Sequence, residues 1–466
     1  MLDRQGFYDQ RAARRPAEQK RFYNQLLRRY YRFFVTPGAR VLEVGCGVGD
    51  LLVAVEPCVG VGIDFSAENI ELARWRHQHH HISFQTGEAA SFQVEGKFDY
   101  IILSDLVNDV TDVQAVLEHV RKFAHEKTRL VLNFFNHAWR PILALAEKLE
   151  FKAPTLPQNW LSATDMQNLL HLSGWEMVKQ ETKILSPVDV SLLFEPILNR
   201  FLAPIFDPFC LTIFQVARLR APERQKDEFK CSVVIPARNE EGNIEAAVQR
   251  IPEMGLGTEI IFVEGHSKDN TWQEINRIAE KYPDRRIKVL KQKSKGKAGA
   301  VREAFEVATG DILMILDADL TMPPEQLPKF YEALRSGAGE FVNGVRLVYP
   351  MEERAMQFLN MIANKFFGVA FSWLLGQSVK DTLCGTKVLF RRDYKEIARN
   401  RSFFGDFDPF GDFDLLFGAA RLNLKIVDLP IRYQARTYGE TNINRWRHGA
   451  LLFRMVGFAA TRLKFI

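Results

Sequence analysis

The chain has 466 residues, 47% of them hydrophobic and 26% charged; these are ordinary proportions for a globular protein, and the length is enough for two domains. A net charge of +5 is too weak for the dense basic stripe of a nucleic-acid binder, so no nucleic-acid partner is expected, while an anionic ligand or membrane surface is compatible with it. Cys46, Cys58, Cys210, Cys231 and Cys384 share neither metal-ligand nor redox spacing; with no signal-peptide core in Met1–Arg40, this predicts a cytoplasmic protein without disulfides.

Residues 1–40 are expected to be helical, with Phe22, Tyr23, Leu26, Tyr30, Phe33 and Phe34 interleaved among arginines and Thr36-Pro37-Gly38 ending the segment. Strands are predicted at Arg40–Val44, Val59–Ile63, Ile82–Gln85, Tyr100–Ser104 and Leu130–Phe135, and helices at Asp50–Val55 and Ala67–Arg76. Such alternation predicts a parallel, doubly wound sheet. Residues 185–220 are apolar and aromatic (Phe194, Phe201, Phe206, Phe209, Phe214) and are expected to form one or two packed helices. A short charged linker follows at 221–229. A second series then has strands at Ser232–Ile235, Glu259–Val263, Lys288–Leu290 and Ile312–Leu316. Its helices are Ile244–Ile251, Asn270–Lys281, Gly299–Ala308 and Pro324–Ser336. The expected fold is α/β: two doubly wound domains in tandem, at 1–220 and 230–444, with a C-terminal helix at 445–466.

Gly45-x-Gly47-x-Gly49 lies between a predicted strand and a predicted helix. Glycine lets the backbone turn tightly and approach a ligand with no Cβ in the way. An acid about 20 residues on, at the next strand tip, is placed to bind ribose hydroxyls, and Asp64 fits that position. The spacing is not that of a dinucleotide site, and the acidic Glu43 precedes it. Over residues 35–140 the sequence resembles the class I S-adenosylmethionine-dependent methyltransferases, which implies a Rossmann-like domain. The resemblance implies that Glu43, Gly45, Gly47 and Gly49 surround the methionine part of the cofactor. It implies that Asp64 holds the ribose, that Phe65 and Glu88 lie by the adenine, and that Ser104 and Asp105 face the substrate. Methyl transfer is in-line displacement at a sulfonium, so placement counts for more than acid–base power; no general base is evident. Cys46 is read as a small loop residue, and His77-Gln78-His79-His80-His81 as an exposed turn capping a helix rather than a metal site.

Two strand-and-turn segments open the second half, Val233 to Glu241 and Ile260 to Thr271. Lys295-Gly296-Lys297-Ala298-Gly299 sets cations and glycines where a helix begins, which suits a pyrophosphate. An apolar strand then ends in Asp317-Ala318-Asp319, two carboxylates able to share magnesium or manganese. Such a metal would bridge and stabilise a leaving diphosphate. Over residues 230–447 this order of motifs resembles the inverting family-2 glycosyltransferases of the GT-A fold, and among them the dolichyl- and polyprenyl-phosphate sugar synthases.

The resemblance implies a UDP- or GDP-linked sugar as donor, bound by Pro236, Arg238, Glu240, Glu264, Asp269, Lys297, Asp317, Ala318 and Asp319. It implies Arg346 in the sugar and phosphate region and Lys387 on an acceptor phosphate. Asp412 would complete the metal shell, and Asp414 would be the acid nearer the acceptor. Arg436-Thr437-Tyr438-Gly439-Glu440-Thr441 matches a late basic loop. Two positions depart from the family pattern: Glu264-Gly265 stands where paired aspartates are usual, and Asn442 where a lysine is frequent. A phosphate acceptor is already ionised and needs no base, whereas a hydroxyl acceptor would need a carboxylate.

No apolar run reaches the roughly 18–20 residues that span a bilayer. Residues 445–466 read instead as a cationic amphipathic helix able to lie at an interface, with Phe366–Leu375 a second aromatic helix. The expectation is a bifunctional methyl- and glycosyltransferase in the cytoplasm, peripheral at the inner membrane face, with a polyprenyl-phosphate or glycolipid-precursor acceptor. The alternative is a glycosyltransferase for a soluble hydroxyl acceptor, carrying a non-catalytic methyltransferase-like scaffold.

Overall fold

The computed structural model describes residues 4–14, 21–78, 81–150, 152, 155–189, 194–222, 228–349, 358–401, 412–436, 438 and 445–466, with backbone alone at 10–14, 21, 358–362, 412 and 445–449. The chain divides into two compact units, Met1–Arg220 with Lys464–Ile466, and Ala221–Leu463.

The first unit holds a seven-stranded sheet of β1 (Arg40–Val44), β2 (Val59–Asp64), β3 (Ile82–Thr86), β4 (Phe98–Ser104), β5 (Ala124–Phe135), β6 (Trp175–Lys183) and β7 (Thr212–Leu219), in the order β3-β2-β1-β4-β5-β7-β6. The first five strands pair in parallel, as the alternation predicts. β7 enters antiparallel between β5 and β6, so the sheet is mixed. Part of the expectation for 185–220 is thereby overturned: Phe214 belongs to a central strand, and Pro196–Leu202 is a short π-helical turn. The reason lies in burial. Seven of the eight β7 residues are buried, so no polar face marks the strand's period of two, and a continuous apolar run reads equally as a buried helix. Within residues 1–40 the described helices are Arg4–Arg14 and Arg21–Phe34, as the helical reading expects. Tyr30, Tyr31 and Phe34 of the second pack on Phe214 with ring centroids 5.3–5.8 Å apart. Burying such a ring contributes roughly 1.5–3 kcal/mol.

In the second unit the strands are β8 (Cys231–Ala237), β9 (Thr258–Glu264), β10 (Arg286–Lys291), β11 (Ile312–Ile315), β12 (Phe341–Val345), β13 (Lys387–Phe390) and β14 (Ile426–Pro430). Their order is β10-β9-β8-β11-β13-β12-β14. β8 to β11 are parallel, and β13 runs antiparallel between β11 and β12. The helices Ile244–Arg250, Thr271–Lys281, Gly296–Val307 and Leu327–Arg335 lie where periodicity predicts them. In each unit the parallel part of the sheet reverses its direction of strand addition, between β1 and β4 and between β8 and β11. Ligands of open α/β sheets bind in the crevice beyond the strand ends at such a switch point.

Candidate active sites

In the first unit the crevice lies between the carboxyl ends of β1 and β4. Gly47 (φ 54°) and Gly49 (φ 79°) take left-handed conformations, which cost a residue with a Cβ. A Cβ on Gly49 would come 2.5 Å from the Phe84 ring, whereas one on Gly47 would meet nothing within 4 Å. The first glycine permits packing, and the second leaves open space over the loop. Asp64 is the buckle: its carboxylate accepts from the Gly47 N–H at 2.8 Å, the Ser66 N–H at 3.0 Å and the Asn69 amide at 3.3 Å. Glu43, only 2% exposed on β1, is pushed well above the usual carboxylate range by burial, with Asp64 and Asp50 adding to the rise. Its Oε2 has no hydrogen-bond partner. A buried carboxylate oxygen left unpaired at a glycine turn fits a cofactor bearing an ammonium group and ribose hydroxyls. Phe65 stands at the rim, edge-on to Tyr8 with centroids 5.5 Å apart, and Glu88 is exposed just beyond β3. Cys46 is a buried loop residue whose thiol is raised by burial. His77 ends the helix Ala67–Arg76 and sits 3.1 Å from Asp50. His79 and His80 lie outside the described residues, as does any metal reading of that run.

Sequence reasoning missed the polar cluster around Ser104. Ser104 Oγ donates to Asn133 Oδ1 at 3.1 Å, Tyr31 to the same oxygen at 2.7 Å, and the Asn133 amide to Asp105 Oδ1 at 2.6 Å. Tyr23 donates to Asp105 at 2.9 Å, and its phenol is pushed well above its usual value by burial and by Asp105. Asp105 has φ 55°, a strained conformation for a residue other than glycine. One signal was present: Asn133 interrupts the apolar run Leu130-Val131-Leu132-Asn133-Phe134-Phe135.

The second crevice lies beyond the ends of β8, β9 and β11. Three residues there, Asn239, His266 and Leu320, have φ of 52–58°; strain of this kind collects at functional sites, at about 1–3 kcal/mol each. The tips of β8 and β9 are laced together. Glu264 accepts from the Ser267 N–H, the Asn239 N–H donates to Ser267 Oγ, and the Glu240 N–H donates to Thr271, whose hydroxyl donates to Asp269. Pro236 is half-buried on β8, Ala318 is buried, and Arg238 is exposed at the mouth.

Each acid of the Asp317-Ala318-Asp319 turn is gripped by a cation. Lys297, in the first turn of Gly296–Val307, lies 2.6 Å from Asp317, and Arg436 lies 2.6 Å from Asp319. Arg436 also reaches Glu240 at 3.0 Å. Burial pushes Asp317 up, but Lys297, Arg346 and Lys387 together hold it below the usual carboxylate range. Glu240 is raised by burial, against the lowering by Asn243 and Arg436. Gly385 packs on the first pair, where a Cβ would fall 2.0 Å from Asp317 Oδ2. Two carboxylates held by cations at a strand tip make a donor set that fits a divalent ion. Among the described residues no three His, Cys, Asp or Glu side chains converge, so further ligands would come from diphosphate or water.

Three of the remaining expected site residues are engaged by protein partners. Lys387 is fully buried, its ammonium on the Cys384 carbonyl oxygen, and its charge helps to hold Asp317 low. Arg346 forks onto buried Asp381 at 2.7 and 2.8 Å and lies over the Tyr433 ring. Asp414 is held by Arg302 and Arg401. Arg302 and Lys297 are five residues apart on one helix, roughly 140° around its axis, so Asp414 and Asp317 address different faces of it. The side chain of Asp412 lies outside the described residues. Arg436, from the late basic loop, and Gly385 thus contact the aspartate turn more directly than the residues expected to do chemistry.

Residues 15–180 match the family description "Methyltransferase domain" and residues 232–398 match "Glycosyl transferase family 2". A dolichol-phosphate mannosyltransferase of Pyrococcus furiosus is 41% identical over 112 residues, 23% of this chain and 31% of that protein. An undecaprenyl-phosphate 4-deoxy-4-formamido-L-arabinose transferase of Pseudomonas aeruginosa is 28% identical over 232 residues, 48% of this chain and 63% of that protein. The chain thus spans less than two thirds of the length of either relative. Among solved structures, a putative methyltransferase complex of Haloferax volcanii matches at TM-score 0.36 and 17% identity, covering 46% of this chain and 97% of that one. Glucosyl-3-phosphoglycerate synthase of Mycobacterium tuberculosis, with Mn2+, UDP-glucose and glycerol 3-phosphate, matches at 0.39 and 21%, covering 51% and 81%. The chain therefore carries a methyltransferase domain in its N-terminal half and a family 2 glycosyltransferase domain in its C-terminal half.

Proposed function

We propose that the chain is a bifunctional transferase. The N-terminal unit binds S-adenosylmethionine through Glu43, Gly45, Gly47, Gly49, Asp64, Phe65 and Glu88, and transfers its methyl group to an acceptor oriented near Ser104 and Asp105. The C-terminal unit binds a nucleotide sugar and a divalent metal at Asp317 and Asp319, with Glu240, Glu264 and Asp269 toward the nucleoside. It passes the sugar, with inversion, to a polyprenyl phosphate or glycolipid precursor. The observation that carries this reading is the pair of cations on the aspartate turn: Lys297 at 2.6 Å and Arg436 at 2.6 Å set positive charge beside the two carboxylates, where an anionic diphosphate and its metal would be held.

A phosphate acceptor needs no base, and the engagement of Asp414 by two guanidiniums argues against a soluble hydroxyl acceptor, for which that acid would have to accept a proton. The names of the relatives, a dolichol-phosphate mannosyltransferase and an undecaprenyl-phosphate arabinose-derivative transferase, support the lipid-linked choice. When bound, the metal supplies charge stabilisation to the leaving diphosphate; this chain's residues hold the donor in line and keep Asp317 ionised. Among the described residues no helix is long and apolar enough to cross a membrane. Contact at the inner membrane face is assigned to Phe358–Leu375 and Arg445–Ala459, which meet through Phe453 on Phe366 and Phe367.

Calorimetric titration of S-adenosylhomocysteine, then of UDP and GDP with manganese, tests both halves against Asp64→Ala and Asp317→Ala/Asp319→Ala. Two sites are expected, each lost only in its own variant. Binding confined to one site would reduce the function to a single transferase.

A further inference from the structure

In the first unit the helix Arg140–Lys148 has no buried residue. Its Ile142 and Leu145, with Leu149 just beyond, are 52%, 56% and 55% exposed, and their spacing of three and four residues sets them on one helical face. An amphipathic helix of a globular domain ordinarily turns that face inward. The segment carrying Phe194, Phe201 and Phe209 also faces outward, with those rings 59%, 46% and 67% exposed. The two segments meet where the Trp139 indole donates to the Phe209 carbonyl at 2.9 Å. Single exposed apolar residues are normal, but a contiguous set of this size marks an interaction surface.

Its position and its charges indicate the occupant. Helix Arg140–Lys148 follows the carboxyl end of β5, on the sheet edge that carries the glycine loop and Ser104. Phe135, the last residue of β5, packs on Tyr23 at 6.2 Å, and Tyr23 donates to Asp105. The face therefore borders the side on which a methyl acceptor would arrive. Cations are exposed at both ends of the helix, Arg140 and Lys148; of the neighbouring acids, Glu147 is engaged by Lys152 and Thr155 and Glu195 by Arg29 at 3.1 Å, while Glu150 is exposed. Leucine, isoleucine and phenylalanine at the tip, with tryptophan, arginine and lysine at the rim, is the composition of a helix lying in a lipid interface.

We propose that this face of the methyltransferase unit inserts into a lipid surface, so that its acceptor is taken from the membrane. The inference extends the lipid-linked acceptor proposed above to the methyl-transfer half and rests on that reading only there; its test involves no transfer reaction.

The experiment is flotation of the full chain with phosphatidylcholine vesicles and with vesicles containing phosphatidylglycerol, at low salt and at about 1 M salt, where charges are screened beyond about 3 Å. Binding to both vesicle types that survives high salt is expected. Ile142→Gln/Leu145→Gln/Leu149→Gln should reduce it at least tenfold while S-adenosylhomocysteine binding, which reports the fold, is unchanged. Arg454→Gln/Arg462→Gln, on the cationic C-terminal helix, should weaken only the low-salt binding to anionic vesicles. The proposal fails if the triple variant floats like the parent protein, or if all binding vanishes at high salt. It also fails if the parent protein ignores vesicles but is a dimer that the triple variant converts to a monomer, because the face would then hold a second copy. None of these failures touches the glycosyl acceptor, which is read by transfer to a polyprenyl phosphate in detergent.

Discussion

Replacing Arg436 with glutamine is expected to tighten manganese binding in the absence of nucleotide. Arg436 donates to Glu240 at 3.0 Å and to Asp319 at 2.6 Å, so a metal arriving at the aspartate turn must displace a guanidinium already there. A hydrogen bond between charged groups contributes about 1.5–3 kcal/mol net. Arg436 is 27% exposed, so solvent screening sets the value at the low end, about 2 kcal/mol for the two contacts together. Removing that competition should lower the manganese dissociation constant by at least tenfold, about 1.4 kcal/mol. The effect should also depend on pH. Burial raises Glu240 and Arg436 opposes the rise, so without the arginine Glu240 holds its proton to higher pH and manganese affinity climbs more steeply as pH increases. The assay is titration with manganese followed by electron paramagnetic resonance, with circular dichroism as the check on folding. A folded variant with unchanged or weaker manganese affinity would refute the reasoning, because Arg436 would then support the metal instead of occupying its place.

Three more outcomes follow from the geometry. Glu43 is raised by burial, so its contribution is fully present below the unfolded value of about 4.3 and is lost as pH rises through the folded one. Glu43→Gln should flatten that decline in urea unfolding of the first unit, and an unaltered pH profile would contradict the assignment. Asp64→Ala removes the acceptor of the Gly47 and Ser66 N–H groups; it should cost about 1–3 kcal/mol and abolish S-adenosylhomocysteine binding, and full retention of binding would show the buckle to be dispensable. Lys387→Met leaves the buried Cys384 carbonyl without its partner. It should destabilise by about 1–3 kcal/mol with the acceptor KM unchanged, whereas a tenfold rise in KM at unchanged stability would place Lys387 at the acceptor.

Local signals in the amino-acid order were enough for some elements. The glycine turn, Asp64 and the aspartate turn sit at strand tips because a short apolar strand followed by glycine or paired acids can end in few other ways. The parallel strands β1 to β5 and β8 to β11 were legible for the same reason, their alternation with helices. Tertiary structure decided what depends on distant partners. β7 is buried on both faces, so its period carried no information until β5 and β6 enclosed it. Lys387 lies on β13 between β11 and β12, where the completed sheet buries it and brings its charge to bear on Asp317. Asp414 reads as an acid near the acceptor, but arginines 112 residues before it and 13 residues before it claim its carboxylate. Arg436 reaches across 196 residues to Glu240 and 117 to Asp319. No local pattern encodes such pairings, because a buried charge takes whichever opposite charge the completed fold brings within reach.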